Sequence, residues 1–247
     1  MGRELVVVKL GGSVVTDKSK PFSYRKKVVA ALGRAMVSSG QRIVVVHGGG
    51  SFGHPVAKHY GLSSSPSRST AEGVSSTREA MFRLNQLVCA SLTQAGLHPF
   101  TFTPFTLLRD ARGAARWVDA LLDSNLTPVT FGDVIPDDRG FRILSGDTIC
   151  LELSRLLRPR RCVFAFNVDG IFDGDGRLIK EVEASVLKQL RKSRADDATG
   201  GILLKVTEAL KIVSSETHVS FVSGFSANNF RKALKGLRFH GSVVKVS

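Results

Sequence analysis

The 247-residue chain is poor in several things at once, and each shortage removes a class of protein. It has three cysteines, Cys89, Cys150 and Cys162, an odd number with no Cys-x-x-Cys pair. That spacing excludes a disulfide framework and a zinc ribbon, and it fits a reducing cytoplasmic setting. Aromatics make up only 7 %, with one Trp and two Tyr, too few for a platform that stacks bases. Acidic residues are outnumbered 21 to 35 by Lys and Arg, a net charge of +14 that favours anionic partners without specifying a fold. A membrane span is also missing. Leu84 to Leu108 lacks Asp, Glu, Lys and Arg, yet it holds Asn85, Gln86, His98, Pro99 and Pro104 among other breakers. The start, Met1 to Lys9, brings in charge too soon for a signal-peptide core. A soluble, cytoplasmic chain is expected.

What the chain does have is a series of short β-branched runs that end in glycine or polar turns. Leu5–Leu10 ends at Gly11-Gly12, Arg42–Val46 at Gly48-Gly49-Gly50, and Thr127–Phe131 at Gly132-Asp133. Cys162–Phe166 precedes Asn167-Val168-Asp169-Gly170, and His218–Val222 precedes Ser223-Gly224. Without strict alternation, such runs predict strands buried on both faces of a mostly parallel sheet. Helical spacing falls between them: Arg25–Ser38 with Gly40 as a stop, Gly73–Leu92, Asp147–Leu157 and Gly201–Val213. The alternation predicts a three-layer α/β sandwich. Phe141–Leu144 reads as a hairpin arm added to that sheet, while Ser63–Thr70 and Lys188–Thr199 read as loops. No linker separates two domains, so a single domain over 1–247 is expected.

Three glycine turns carry the chemistry. The first, Lys9-Leu-Gly11-Gly12-Ser13, puts a lysine on an otherwise apolar strand, where an unpartnered ammonium is costly. An anion at the strand's C-terminal end justifies it, and an edge-strand charge is the plainer alternative. The second is His47-Gly48-Gly49-Gly50-Ser51-Phe52-Gly53-His54. It contains Gly-x-Gly-x-x-Gly but lies outside the first strand–helix unit, and it resembles a Walker A loop without that loop's Lys and hydroxyl residue. Its consecutive glycines let amides approach an anion at a helix start, although a tight strand–helix turn accounts for the same residues. His54, followed by Pro55, is expected to close the loop and begin the next helix. The third is Thr199-Gly200-Gly201-Ile-Leu-Leu-Lys205, with lysine one turn into a helix. His54 and His59 stand five apart with no third ligand, so no metal site is read.

Together these turns, in order along the chain, resemble the amino acid kinase superfamily, whose members transfer the γ-phosphoryl of ATP to small acids and phosphates. The His47-Gly-Gly-Gly-Ser-Phe-Gly-His54 element is similar to that of the isopentenyl phosphate kinases within it. Thr16-Asp17-Lys18, Gly132-Asp133, Ser145-Gly146-Asp147 and Asn167-Val168-Asp169-Gly170 continue the likeness from Lys9 to about Gly241. The resemblance implies the amino acid kinase fold, an acceptor side over about 1–155 and a nucleotide side over about 156–247. It implies ATP with Mg²⁺, isopentenyl phosphate as acceptor in mevalonate-type isoprenoid biosynthesis, and a homodimer. Residue by residue, it puts Lys9, Gly11, Gly12 and Ser13 at the ATP phosphates and Lys18 at the transferring group. Gly49, His54, Gly146 and Asp147 fall to the acceptor, and Gly50, Asn167, Asp169, Gly201 and Lys205 to the nucleotide. Lys9, Lys18 and His54 are its catalytic set. Two positions depart: Asn167 stands where the family usually has Asp, and Thr148 where a second Asp often follows Asp147.

Phosphoryl transfer to a phosphate needs charge neutralisation and alignment rather than a protein nucleophile, which suits lysines, a histidine and glycine amides. An apolar slot for the acceptor's tail is sought on the Gly73–Leu92 stripe, with Val74, Met81, Leu84 and Val88 as candidates; the same stripe also serves as core. A kinase for another small phosphate or for a phosphonate such as fosfomycin, a polyanion binder using the +14 charge, and a catalytically silent nucleotide sensor remain as alternatives. Against a nucleic-acid function, no recognised module is present, and the marked lysines sit at glycine turns rather than in runs.

Overall fold

The computed structural model describes residues 3–187, 198–213 and 216–245. Most of the Lys188–Thr199 loop expected from sequence lies outside these residues. The first half runs β1 (Leu5–Leu10), α1 (Gly12–Val15), α2 (Lys26–Ser39), β2 (Arg42–His47), α3 (Gly50–His59), α4 (Ala71–Gln94) and β3 (Pro99–Thr101). Then come α5 (Pro104–Arg109), α6 (Ala111–Asp123), β4 (Thr127–Phe131), β5 (Asp133–Asp137), β6 (Gly140–Leu144) and α7 (Gly146–Leu157). The rest comprises β7 (Arg161–Phe166), β8 (Ile171–Phe172), β9 (Leu178–Ile179), β10 (Glu181–Val182), α8 (Ala198–Ile212), β11 (His218–Ser223), α9 (Ala227–Leu234) and β12 (Gly241–Val244).

Eight strands form one sheet in the order β10-β12-β11-β7-β1-β2-β4-β3, parallel throughout except where β12 meets β11. The β1 run is buried almost end to end because its alternate residues serve two cores. Val6, Val8 and Leu10 pack with Val29, Leu32 and Met36 of α2, Leu84, Val88 and Leu92 of α4, and Phe230 and Leu234 of α9. Val7 faces the other way, toward Val118 of α6, Ile149 and Leu153 of α7, and Val206 and Ala209 of α8. This is the three-layer sandwich read from the sequence. Lys9 shares Val7's parity, so it reaches toward α7 and α8. The chain leaves β1 for β2 on one side and later returns to place β7 on the other. Such a reversal opens a crevice at the strands' C-terminal ends, which is where ligands bind in open α/β sheets.

One local expectation fails. The arm Phe141–Leu144 is not an addition to the main sheet; among the described strands β6 pairs with β5, as a separate two-stranded ribbon. Strand β4, which precedes it, already has β2 and β3 as neighbours, so no edge is open there. The ribbon is tied instead to the serine-rich loop, where Ser67 and Phe141 exchange backbone hydrogen bonds of 3.0 Å. The helix stop at Gly40 is borne out, with φ of +70° and its amide on the Val37 carbonyl. The three cysteines are free thiols. No described helix is long and apolar enough to cross a membrane.

Candidate active site

The turns after β1 and β2 cross at the crevice, and glycine is what permits the crossing. A Cβ on Gly12 would lie 2.6 Å from the Gly50 amide nitrogen, and Gly50 itself takes φ of +49°. Around this crossing opens a cavity of about 550 Å³. It gathers most of the sequence candidates: Lys9, Gly11, Gly12, Ser13, Lys18, Gly49, His54, Gly146, Asp147, Asn167 and Lys205 all line it. Gly50 and Asp169 do not. Gly50 is buried beneath the Gly12 turn, and Asp169 lies 3.6 Å from His240 in a half-exposed pair. Gly201 stands near the start of α8.

Lys9 is 3 % exposed, and its partner is a carboxylate 138 residues away: Nζ donates to Asp147 Oδ1 at 2.7 Å. Lys205 Nζ lies 3.7 Å from the other oxygen of the same carboxylate. Asp147 reaches this position because Ser145 caps α7, accepting the Thr148 amide at 3.1 Å, so that Asp147 falls in the first turn. Gly146 clears the space beside it, since a Cβ there would sit 2.9 Å from Lys9 Cε. Burial alone would raise the Asp147 pKa. The two lysines overcome it, and the carboxyl titrates below its ordinary 3.8. Lys205 in turn is lowered by burial and by Lys9 and Lys18, with Asp147 pulling the other way.

Lys18 is exposed in the turn that follows α1. The turn is held by Asp17, whose Oδ1 accepts the Ser19 amide at 3.1 Å and the Ser19 hydroxyl at 2.7 Å, and by the Phe22 amide on the Ser51 carbonyl. His54 does not begin a helix. Phe52 and Gly53 already donate to the Gly49 carbonyl, so α3 is built from the glycine loop itself and His54 lies in its second turn. Burial lowers the His54 pKa, and Lys18, Lys205 and Lys9 lower it further. Burial and the three lysines thus bias His54 toward the neutral imidazole. His47, the other histidine of the motif, is a core residue: wholly buried, 3.2 Å from Asn85 Oδ1, with its pKa pushed down to about 4 by burial.

The cavity is also lined by Ala57, Met81, Val134, Ile143 and Leu144. Of the four candidates for this slot, Met81 alone lines the cavity. Leu84 and Val88 belong to the main core, and Val74 packs with Ala57, Leu62 and Val134. Sequence reasoning misses Thr77 and Asp133 as wall residues. Thr77 carries a signal, since it precedes Met81 by one turn on the same face of α4. Ser13 Oγ donates to Asn167 Oδ1 at 2.9 Å, so the unusual asparagine is bound to the first glycine turn.

Crossed glycine turns at the ends of parallel strands, three lysines and one carboxylate set between two of them define a class, the α/β phosphotransferases. The model of the Amino acid kinase family matches residues 4–223, and the chain belongs to that family. It is 37 % identical over 233 residues to the isopentenyl phosphate kinase of Haloferax volcanii, covering 90 % of this chain and 94 % of that one. To the isopentenyl phosphate kinase of Thermoplasma acidophilum it is 30 % identical over 218 residues, 85 % and 88 % of the two chains. The crystal structure of the T. acidophilum isopentenyl phosphate kinase product complex superposes with a TM-score of 0.79 at 28 % identity, over 98 % of this chain and 100 % of that one.

Proposed function

We propose that this kinase phosphorylates isopentenyl phosphate to isopentenyl diphosphate at the expense of ATP. The observation that carries the reading is one cavity with two kinds of lining: glycine turns and lysines, and the apolar side chains of Ala57, Met81, Val134, Ile143 and Leu144. A short phosphorylated hydrocarbon matches that division, and the named relatives support it. In the reaction an oxygen of the acceptor phosphate attacks the γ-phosphorus, a P–O bond forms, and the bond to the β-phosphate oxygen breaks to release ADP. The acceptor monoester is itself the nucleophile, so the protein's part is to bring two polyanions together and spread the charge.

Lys9 and Lys205, aimed by Asp147, supply fixed positive charge beside the glycine amides. Lys18, outside that cluster, meets charge on the group in transfer, and His54 donates an N–H to the acceptor phosphate. Asn167, Asp169 and Gly201 belong to the nucleotide side and Gly49 and Gly146 to the acceptor side. Mg²⁺ is part of the reading, but the cavity's own carboxylates do not suit it: Asp147 is engaged by two lysines and Asp133 by Arg78. Phosphate oxygens and water would hold the ion. The single domain, its acceptor half to about residue 155 and nucleotide half beyond, a homodimer and a cytoplasmic role in mevalonate-type isoprenoid biosynthesis complete the proposal.

A coupled assay of ADP release across isopentenyl phosphate, dimethylallyl phosphate, fosfomycin and free amino acids tests it. Isopentenyl phosphate should give the highest kcat/KM. A preference for fosfomycin or an amino acid would overturn the assignment while leaving the kinase class intact.

A further inference from the structure

Lys18 sits in a short hairpin, and the amide, hydroxyl and carbonyl of one buried serine all bond to that hairpin. It opens at Thr16 and closes at Tyr24, which form an antiparallel bridge, with the Asp17 amide on the Ser23 carbonyl at 2.9 Å. Ser51, in the first turn of α3, is 3 % exposed. Its amide donates to Thr16 Oγ1 at 2.9 Å, and its hydroxyl accepts the Ser23 amide at 3.2 Å. Its carbonyl accepts the Phe22 amide at 3.2 Å. Both backbone groups are available for a physical reason. An amide in a helix's first turn has no partner within the helix. A helical carbonyl is ordinarily taken by the amide four residues on, and for Ser51 that residue is Pro55, which has no N–H. Phe22 meets the serine at φ of +52°, a left-handed conformation that is rare for a bulky side chain. Its ring lies edge-on to the buried Phe52 ring, 5.3 Å between centroids. Thr16 Oγ1 in turn donates to the Gly12 carbonyl at 2.7 Å. A chain of hydrogen bonds therefore joins the first glycine turn, the Lys18 hairpin and the second glycine turn.

We propose that Ser51 and Thr16 are positioning residues that clamp the Lys18 hairpin onto the glycine loop, so that Lys18 and His54 are held as one unit. This rests on the proposed role of Lys18 in transfer and adds what holds it in place. Lys18 is exposed, so side-chain packing does not place it, and its backbone must. Ser51 and Thr16 are both buried, and neither is among the residues that line the cavity, so they act through Lys18 rather than on a substrate. A group displaced by about 1 Å can cost about 10²-fold in rate. Because the clamp orients a group that meets charge in transfer, loosening it lowers kcat and leaves KM for ATP nearly unchanged.

The test is a double-mutant cycle on kcat with isopentenyl phosphate and ATP, with thermal melts to check that each variant is folded. Thr16→Ala should lower kcat by about tenfold with KM for ATP changing less than about threefold, and Thr16→Ser, which keeps the hydroxyl, should recover most of the loss. Added to Lys18→Ala, the same Thr16→Ala change should cost less than about twofold, because the group it orients is already gone. Ser51→Ala, which loses one tie and keeps two, carries the same cycle with a smaller effect if Thr16→Ala does not fold. An equal loss with and without Lys18 would show that the hydroxyls serve something else, and the clamp is overturned while the function stands. Wild-type kcat in Thr16→Ala and Ser51→Ala, or in Lys18→Ala alone, overturns it as well. If isopentenyl phosphate is not turned over, the assigned function falls, and the same cycle on whichever acceptor the ADP-release panel selects decides the clamp.

Discussion

Two aspartates line the cavity, each buried against cations, with opposite results. Asp147 meets two lysines, and although burial works against its charge, the carboxyl titrates below its ordinary value. Asp133 meets one arginine and one amide; there burial prevails and the carboxyl titrates above it. The surroundings differ in the same sense. Around the glycine turns, Lys9 and Lys205 both reach the Asp147 carboxylate. Asp133 pairs with Arg78 instead. The proposed division of the cavity between phosphates and a hydrocarbon chain is consistent with that contrast. The difference shows that burial does not decide what a carboxylate does; the number and placement of its cations do.

The largest effect expected from this contrast is that of Asp147→Asn. It leaves the deeply buried Lys9 without its counter-charge, so folding stability in urea should fall by about 3–5 kcal/mol. Because both lysines also lose their aim, kcat should fall by about 10²–10³-fold. A variant that keeps its stability and rate would show that the pair is incidental. Next comes Lys18→Ala, which separates assembly from chemistry. Lys18 is exposed and carries no ion pair among the described residues, so stability should move by less than about 0.5 kcal/mol. If it meets charge that appears only during transfer, kcat should drop by about 10²-fold with little change in KM for ATP. Wild-type kcat would remove it from the catalytic set.

His54 sharpens the contrast from the side of the lysines. Burial and the lysines bias it toward the neutral form, and in the proposed complex a phosphate dianion would oppose that bias. His54→Ala should cost kcat/KM for the acceptor about tenfold or more, with KM for ATP changing less than about threefold, and His54→Gln should recover part of the loss. Calorimetry in buffers of different ionisation enthalpy gives a second readout. Near neutral pH the wild type should take up more protons on acceptor binding than His54→Gln does. Equal uptake would place the proton elsewhere.

Much of this architecture is legible in the amino-acid sequence by itself. Runs of six or fewer β-branched residues ending in glycine mark strands because a sheet buried on both faces tolerates little else. Lys9 announces itself as a charge on an apolar strand. Its partner does not: Asp147 is 138 residues away, and ion pairs between distant segments leave no local pattern. The ribbon β5–β6 reads as part of the main sheet because hairpin chemistry specifies its turn and not what its edges meet. Met81 and Leu84 belong to one helical stripe, yet one lines the cavity and the other the core; periodicity gives a face and is silent about where that face passes from helix to void.

The smallest expected effect falls on the other aspartate, and its pH dependence is the sharper measurement. Asp133→Asn keeps an oxygen for the Val134 amide, and the partly exposed Arg78 can turn to water, so at pH 7 stability should change by less than about 1 kcal/mol. The sign with pH follows from the direction of the shift. The folded-state pKa lies above the ordinary 3.8, so the folded protein binds this proton more tightly than the unfolded chain. Wild-type stability relative to Asp133→Asn should therefore rise as pH is lowered from 7 through the raised folded value, and level off below 3.8. Asp147 is the mirror case. Its advantage over Asp147→Asn should stay level from pH 7 down to about 4 and shrink only below 3.8, as pH passes through the depressed folded value. Urea denaturation of the two variants and the wild type between pH 7 and pH 3 reads both slopes. If the Asp133 difference shrank on acidification, Arg78 would outweigh burial at that carboxylate, and the contrast between the two aspartates would be lost.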